Sequence, residues 1–266
     1  MKKFAAICMM ILAFSLASCG VGRTIRDIVD TVDEIADAIN EGMAIVVQEV
    51  TGIAIDEMGG GPIINLASDV TMDEALFISL VNNAISIQTH TDNTIRVYFS
   101  SPITGNYVVP TVELSNGRIE ITEPLANFNI NNNDRQGVLF VYLPLNAAAF
   151  RTMDLSTING AVRIVGNNHD IADFINITMT NGIVELRYFN APDIIVRTTN
   201  GTISANGLDV GDLEMRTTNG IVTLRDSQVS GDLTARTMNG GITLNNVSVD
   251  MDRTDLNAVN GIVTVR

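Results

Sequence analysis

The chain has 266 residues, of which 46% are hydrophobic, 17% charged and 5% aromatic, with a formal net charge of −14. The apolar content excludes wholesale disorder, and the length holds one large domain or two small ones. Past Lys3 there are 14 Arg, 30 acidic residues and no further Lys. That balance excludes nucleic-acid binding by phosphate neutralisation and polybasic contact with anionic lipid.

Residues 1–20 read MKKFAAICMMILAFSLASCG. Two lysines precede an uncharged run from Phe4 to Ala17, the basic and apolar regions of a secretory signal. At 14 residues the run is too short to span ~30 Å of hydrocarbon as a helix. It closes on Leu16-Ala17-Ser18-Cys19-Gly20, which resembles the lipobox of bacterial lipoproteins. The resemblance implies removal of residues 1–18 and diacylation of Cys19. The mature chain is then the 266 residues less those 18, with no second Cys for a disulfide. Two or three acyl chains give stable anchoring without a transmembrane helix.

Over residues 24–49 the apolar positions Ile25, Ile28, Val29, Val32, Ile35, Ala36, Ile39, Met43 and Val46 recur at steps of mostly three and four. The spacing predicts one amphipathic helix, with Thr24 as its N-cap and Asp27 three residues on. Its apolar face serves either packing on its own domain or coiled-coil association. Gly59-Gly60-Gly61-Pro62 marks a linker, so the expected organisation is 1–18 signal, 19–61 lipidated Cys, helix and linker, and 62–266 a β domain. Ile85–Thr89 and Thr94–Tyr98 alternate with period two, as strands do, around a turn signal at Asp92-Asn93.

The C-terminal half repeats itself. Asn-Gly stands at 159, 181, 200, 219, 239 and 260, in steps of 22, 19, 19, 20 and 21 residues. Asn116-Gly117, 43 residues upstream, lies two periods away, with Arg135-Gln136-Gly137 as a degenerate copy between. Each copy reads as strand, Asn-Gly, strand and a second turn, giving two strands and two turns per period. Two architectures satisfy this: a β-solenoid of about twenty residues per coil, or an antiparallel meander of Asn-Gly hairpins. Matching columns favour the solenoid. Asp193, Asp212 and Asp232 stand seven residues before an Asn, Arg197, Arg216 and Arg236 three before. Ile194 with Val196, Leu213 with Met215 and Leu233 with Ala235 lie between as inward-facing positions. The Asp column is expected to interleave the Arg column and relieve its repulsion.

T-x-N-G followed by alternating aliphatics, at Thr157–Ile164, Met179–Leu186, Thr198–Ala205, Thr217–Leu224, Thr237–Leu244 and Ala258–Val265, resembles a bacterial adhesin-like domain family of unknown function. The resemblance implies a β-helical fold on an exported or membrane-tethered protein. It covers residues 140–266 well and 80–140 weakly, and it omits the helix.

Catalytic chemistry has little to work with. His90 and His169 lack ligand-spaced partners, so no metal is expected, and no nucleophile elbow or phosphate loop occurs. No cofactor is expected. The predicted function is a lipid-anchored cell-envelope β-solenoid acting as a binding, adhesion-like or structural module. It would face the periplasm or the cell surface, and its ligand would be an envelope protein or a carbohydrate. The alternatives are a β-helical carbohydrate-active enzyme with paired carboxylates, or an envelope regulatory partner acting through the helix. The final copy, Asn260–Arg266, ends partway round a coil, so its edge is expected to be a self-association surface.

Overall fold

The computed structural model describes residues 64–66, 75–91, 95–100, 110–115, 117–123, 137–145 and 150–266. The chain divides into two units, Met1–Gly60 and Gly61–Arg266, and every described residue lies in the second. The signal, Cys19, the helix over 24–49 and the Gly-rich linker lie outside the described residues.

Seven strands precede the regular repeats: β1 (Ile64–Leu66), β2 (Ala75–Leu80), β3 (Ala84–His90), β4 (Ile95–Ser100), β5 (Thr111–Ser115), β6 (Arg118–Thr122) and β7 (Val138–Pro144). The repeats follow as β8 (Phe150–Val165), β9 (Ala172–Arg187), β10 (Asn190–Asn206), β11 (Asp209–Asn219), β12 (Val222–Val229), β13 (Leu233–Asn239) and β14 (Ile242–Val249). A 3-10 turn at Met251–Arg253 leads to β15 (Thr254–Asn260) and β16 (Val263–Val265).

From residue 150 onward every strand pairing is parallel, and the Asn residues align in register: Asn159 with Asn181, Asn181 with Asn200, Asn200 with Asn219, Asn219 with Asn239 and Asn239 with Asn260. The fold is therefore the β-solenoid and not the meander. One coil holds three straight segments rather than two. In the coil around Asn219 these are Leu213–Asn219, Val222–Arg225 and Ser227–Val229, turned at Asn219-Gly220, at Asp226 and at Ser230–Asp232. The extra bend falls at a column of left-handed residues, Asn168, Tyr188, Gly207, Asp226 and Asn246. Four of these five types tolerate that conformation.

The core is a set of columns. Met153 and Leu155, Ile175 and Ile177, Ile194 and Val196, Leu213 and Met215, and Leu233 and Ala235 are all buried to 1% exposure or less. Alternation along each strand places them inward while Glu214 and Arg216 face out.

The first rung in space is not the first in sequence. β2 and β3 stack in parallel on β8. The chain then loops out, and β6 and β7 pair in parallel with the opposite edges of β2 and β3. β4 pairs antiparallel with β7, β1 with β4 and β5 with β6. β7 thus separates β3 from β4. Gly137 takes the corner register beside Asn83, as the degenerate copy predicts. The second expected copy does not: Asn116 lies outside the described residues, and Gly117, at φ +75°, stands between β5 and β6, which are paired antiparallel up to Ser115 and Arg118. That connection is a hairpin, because the strand after it folds back on the strand before it instead of passing to a new rung.

Candidate functional site

Three surfaces carry the polar chemistry: the Asn-Gly corner, the charged face before it and the left-handed corner after it.

At the first, each Asn carboxamide donates from Nδ2 to Oδ1 of the Asn one rung back. The ladder runs Asn159 to Asn82 at 2.7 Å, Asn181 to Asn159 at 2.7 Å, Asn200 to Asn181 at 2.9 Å, Asn219 to Asn200 at 2.7 Å, Asn239 to Asn219 at 2.7 Å and Asn260 to Asn239 at 2.9 Å. Asn82, which lacks a following Gly, escapes the Asn-Gly pattern, yet it is a full member. The glycines are required by the same stacking. A Cβ on Gly220 would lie 1.8 Å from the Gly201 carbonyl oxygen, and one on Gly240 1.8 Å from that of Gly220. The threonine of the motif closes the corner from inside: Thr217 Oγ1 donates to the Gly201 carbonyl at 3.0 Å and Thr237 Oγ1 to that of Gly220 at 3.1 Å.

On the charged face the expected Asp–Arg interleaving does not occur. Arg197 and Arg216 both pair with Glu214, at 2.6 Å and 3.0 Å, and Arg236 pairs with Asp255. Asp232 accepts from Arg253 Nε at 2.7 Å, and Asp212 takes the Asp232 backbone N–H at 2.6 Å. The reason is reach. Asp212 and Arg216 face the same way but sit four residues apart, about 13 Å along a strand, whereas Glu214 is only two positions away. One further carboxylate lies outside every sequence-derived column. Glu185, 3% exposed, is held between Arg163 at 2.9 Å and Arg187. Burial pushes the Arg163 guanidinium down from its ordinary pKa, and the Glu185 charge opposes that shift. No sequence signal separates Glu185 from the other acidic residues, because its partners are Arg187 two positions along its own strand and Arg163, which only the stacking brings beside it from the adjacent rung.

His90 packs edge-on against Tyr142, with ring centroids 6.0 Å apart, and Tyr98 packs on the same ring at 5.7 Å. Burial, with the Tyr98 hydroxyl second, raises the Tyr142 phenol above 10.0. His169 is exposed in the loop before β9. Among the described residues no group of three His, Cys, Asp or Glu side chains is arranged to hold a metal, and no helix is long and apolar enough to cross a membrane. In the last rung Val259 and Val265 are exposed.

At the left-handed corner an open groove of about 870 Å³ runs along the solenoid. One wall is the column Tyr188, Gly207, Asp226 and Asn246, and the other is Asn190, Asp209, Gln228 and Ser248. Facing residues of the two walls are two apart in sequence and share an outward direction. The residue between them, Phe189 or Leu208 for example, turns into the core.

Comparison with curated proteins finds no match. Among solved structures, the chain is 10% identical to a presumed cell adhesion protein of Clostridium sporogenes, covering 77% of this chain and 97% of that one at a TM-score of 0.39. It is 9% identical to a presumed lipid binding protein of Parabacteroides distasonis, covering 78% and 98% at a TM-score of 0.25. The family model described as Toastrack DUF4097 matches residues 74–266.

Proposed function

This chain belongs to the Toastrack DUF4097 family, and on that premise we propose that it is a lipid-anchored, envelope-facing β-solenoid. In this reading it acts as a binding, adhesion-like or structural module rather than as an enzyme. The observation that carries the reading is a combination. A lipobox-like stretch ending at Cys19 stands ahead of a domain whose corner amides and charged-face ions pair with one another. Asn binds Asn through the corner ladder, and Arg pairs with Glu214, Glu185 or Asp255. Such ladders stiffen a rod and repeat a surface, which suits display and attachment.

Acyl chains on Cys19 supply the membrane contact in this reading. The acidic surface opposes nucleic acid as a partner. The ligand is sought among envelope proteins and carbohydrates.

The test is fractionation of cells expressing the full chain and its Cys19→Ala variant, with intact-mass analysis of the extracted protein. The expected result is a diacylated or triacylated mass for the parent, and a variant that is released or keeps its signal. A Cys19→Ala chain that is membrane-bound with its signal removed overturns the anchor. Turnover of an envelope polysaccharide by the purified chain overturns the non-catalytic reading.

A further inference from the structure

The left-handed column contains one residue that local conformation does not favour. Asn168, Gly207, Asp226 and Asn246 are types that accept positive φ, whereas Tyr188 adopts φ +55° with a large aromatic side chain. The residue is 45% exposed, so core burial does not account for it. The next rung is shaped to receive the ring. A Cβ on Gly207 would lie 2.5 Å from Tyr188 Cδ1, so the glycine leaves the space in which the ring lies down along the groove. The Cδ1–Cε1 edge of the ring abuts Gly207.

The groove itself narrows the choice of ligand. Backbone groups along this corner bond from rung to rung: Asn168 N–H to the Tyr188 carbonyl at 2.7 Å, Gly207 N–H to that of Arg225 at 3.1 Å and Gln228 N–H to that of Leu208 at 2.8 Å. A peptide strand therefore finds no open edge to extend here. Recognition falls to side chains: an aromatic platform on one wall, and amides, a carboxylate and a hydroxyl on the other. The Asp209 and Gln228 side chains are exposed on that wall. The polar residues Asn190, Asp209, Gln228 and Ser248 stand one rung apart, at intervals of about 4.8 Å. An extended pyranose chain advances by nearly the same interval per sugar, and the apolar C–H face of a sugar ring fits against an aromatic ring. Asp209 and Asp226 stand against Arg266 at the far end, and with a chain charge of −14 they disfavour an anionic polymer.

We propose that this groove binds an extended, uncharged, β-linked glycan, with Tyr188 as the stacking platform and Asn190, Asp209 and Gln228 as hydroxyl partners. The inference rests on the reading of the domain as a binding module and is independent of the lipid anchor.

The test is calorimetry on the full chain in detergent micelles. The probes are β-1,4-linked hexamers of glucose and of N-acetylglucosamine, with the coiled α-1,4-linked glucose hexamer as control. At least one β-linked hexamer is expected to bind, the control more weakly. Tyr188→Gly should weaken that binding at least tenfold and Tyr188→Phe by less than twofold, because stacking needs the ring and not the hydroxyl. Glycine accepts the native φ, so Tyr188→Gly should melt no lower than the parent, which separates lost binding from lost fold. Absence of β-glycan binding up to about 10 mM overturns the proposal. So does equal binding by the parent and Tyr188→Gly, or a preference for the coiled control. Capture of an envelope protein equally by the parent and Tyr188→Gly, with no glycan bound by either, would overturn the groove while leaving the binding-module reading intact.

Discussion

Gly240 and Gly241 are adjacent in sequence and chemically identical, yet their substitution by alanine should have opposite outcomes. A Cβ on Gly240 lies 1.8 Å from the Gly220 carbonyl oxygen and 2.7 Å from its carbon, whereas on Gly241 the nearest atom is the Ile262 oxygen at 3.6 Å. Moving the Gly240 contact from 1.8 Å to the ordinary range beyond 3.4 Å parts the two rungs by about 1.6 Å, the difference of those distances. Three bonds cross that gap: Asn239 Nδ2 to Asn219 at 2.7 Å, Thr237 Oγ1 to the Gly220 carbonyl at 3.1 Å, and Gly220 N–H to the Asn239 carbonyl at 3.0 Å. All three lengthen past hydrogen-bonding range. At about 0.5–1.5 kcal/mol each, their loss costs on the order of 3 kcal/mol. For a domain of this size that is a fall in Tm of about 6–12 °C. Gly241→Ala should instead be neutral or stabilising by up to ~1 kcal/mol, through the reduced freedom of the unfolded chain. Thermal and urea melts of the two variants side by side decide the matter. A Gly240→Ala protein within ~0.5 kcal/mol of the parent, or equal losses in both variants, would refute rung-to-rung approach as the reason for the corner glycines.

Leu213→Ala, at a position 1% exposed, should lower stability by ~2–5 kcal/mol, while Arg216→Ala, a half-buried, outward-facing member of the Glu214 pair, should cost ~0–1 kcal/mol; the reverse ranking in urea melts would mean that the faces are misassigned. Glu185→Gln removes the charge between Arg163 and Arg187 and should cost roughly 3–5 kcal/mol, as breaking a buried pair does; Glu214→Gln should lose far less in the same melts. The Tyr142 phenol titrates higher in the folded chain than its ordinary 10.0 because of burial. The folded state therefore holds its proton more tightly, and the stabilisation is complete below pH 10 and lost as pH rises through the folded value. Urea midpoints measured between pH 8 and 11 should fall less steeply in Tyr142→Phe than in the parent, and parallel curves would contradict that assignment.

The repeat, the inward columns and the parallel stacking were legible from residue order because a solenoid converts sequence period directly into spatial register. A residue and its counterpart some twenty positions on occupy the same place on successive rungs, so Leu213 predicts Leu233 without knowledge of the fold. Reading failed where contact is decided by something other than that period. Asn82 joins the ladder although 77 residues separate it from Asn159, because the chain loops out through β4–β7 before resuming the stack. Asn116-Gly117 carries the corner signature, yet the strands on either side of it pair as a hairpin, since only the destination of the next strand distinguishes the two uses. Asp212 and Arg216 share a column pattern but not a contact, because strand geometry separates them and places Glu214 between. Glu185 and the Tyr188 groove are tertiary properties in full. The ion pair of the first needs Arg163, twenty-two positions back on the adjacent rung, and the setting of the second needs a glycine nineteen positions on, so no local pattern around either residue encodes it.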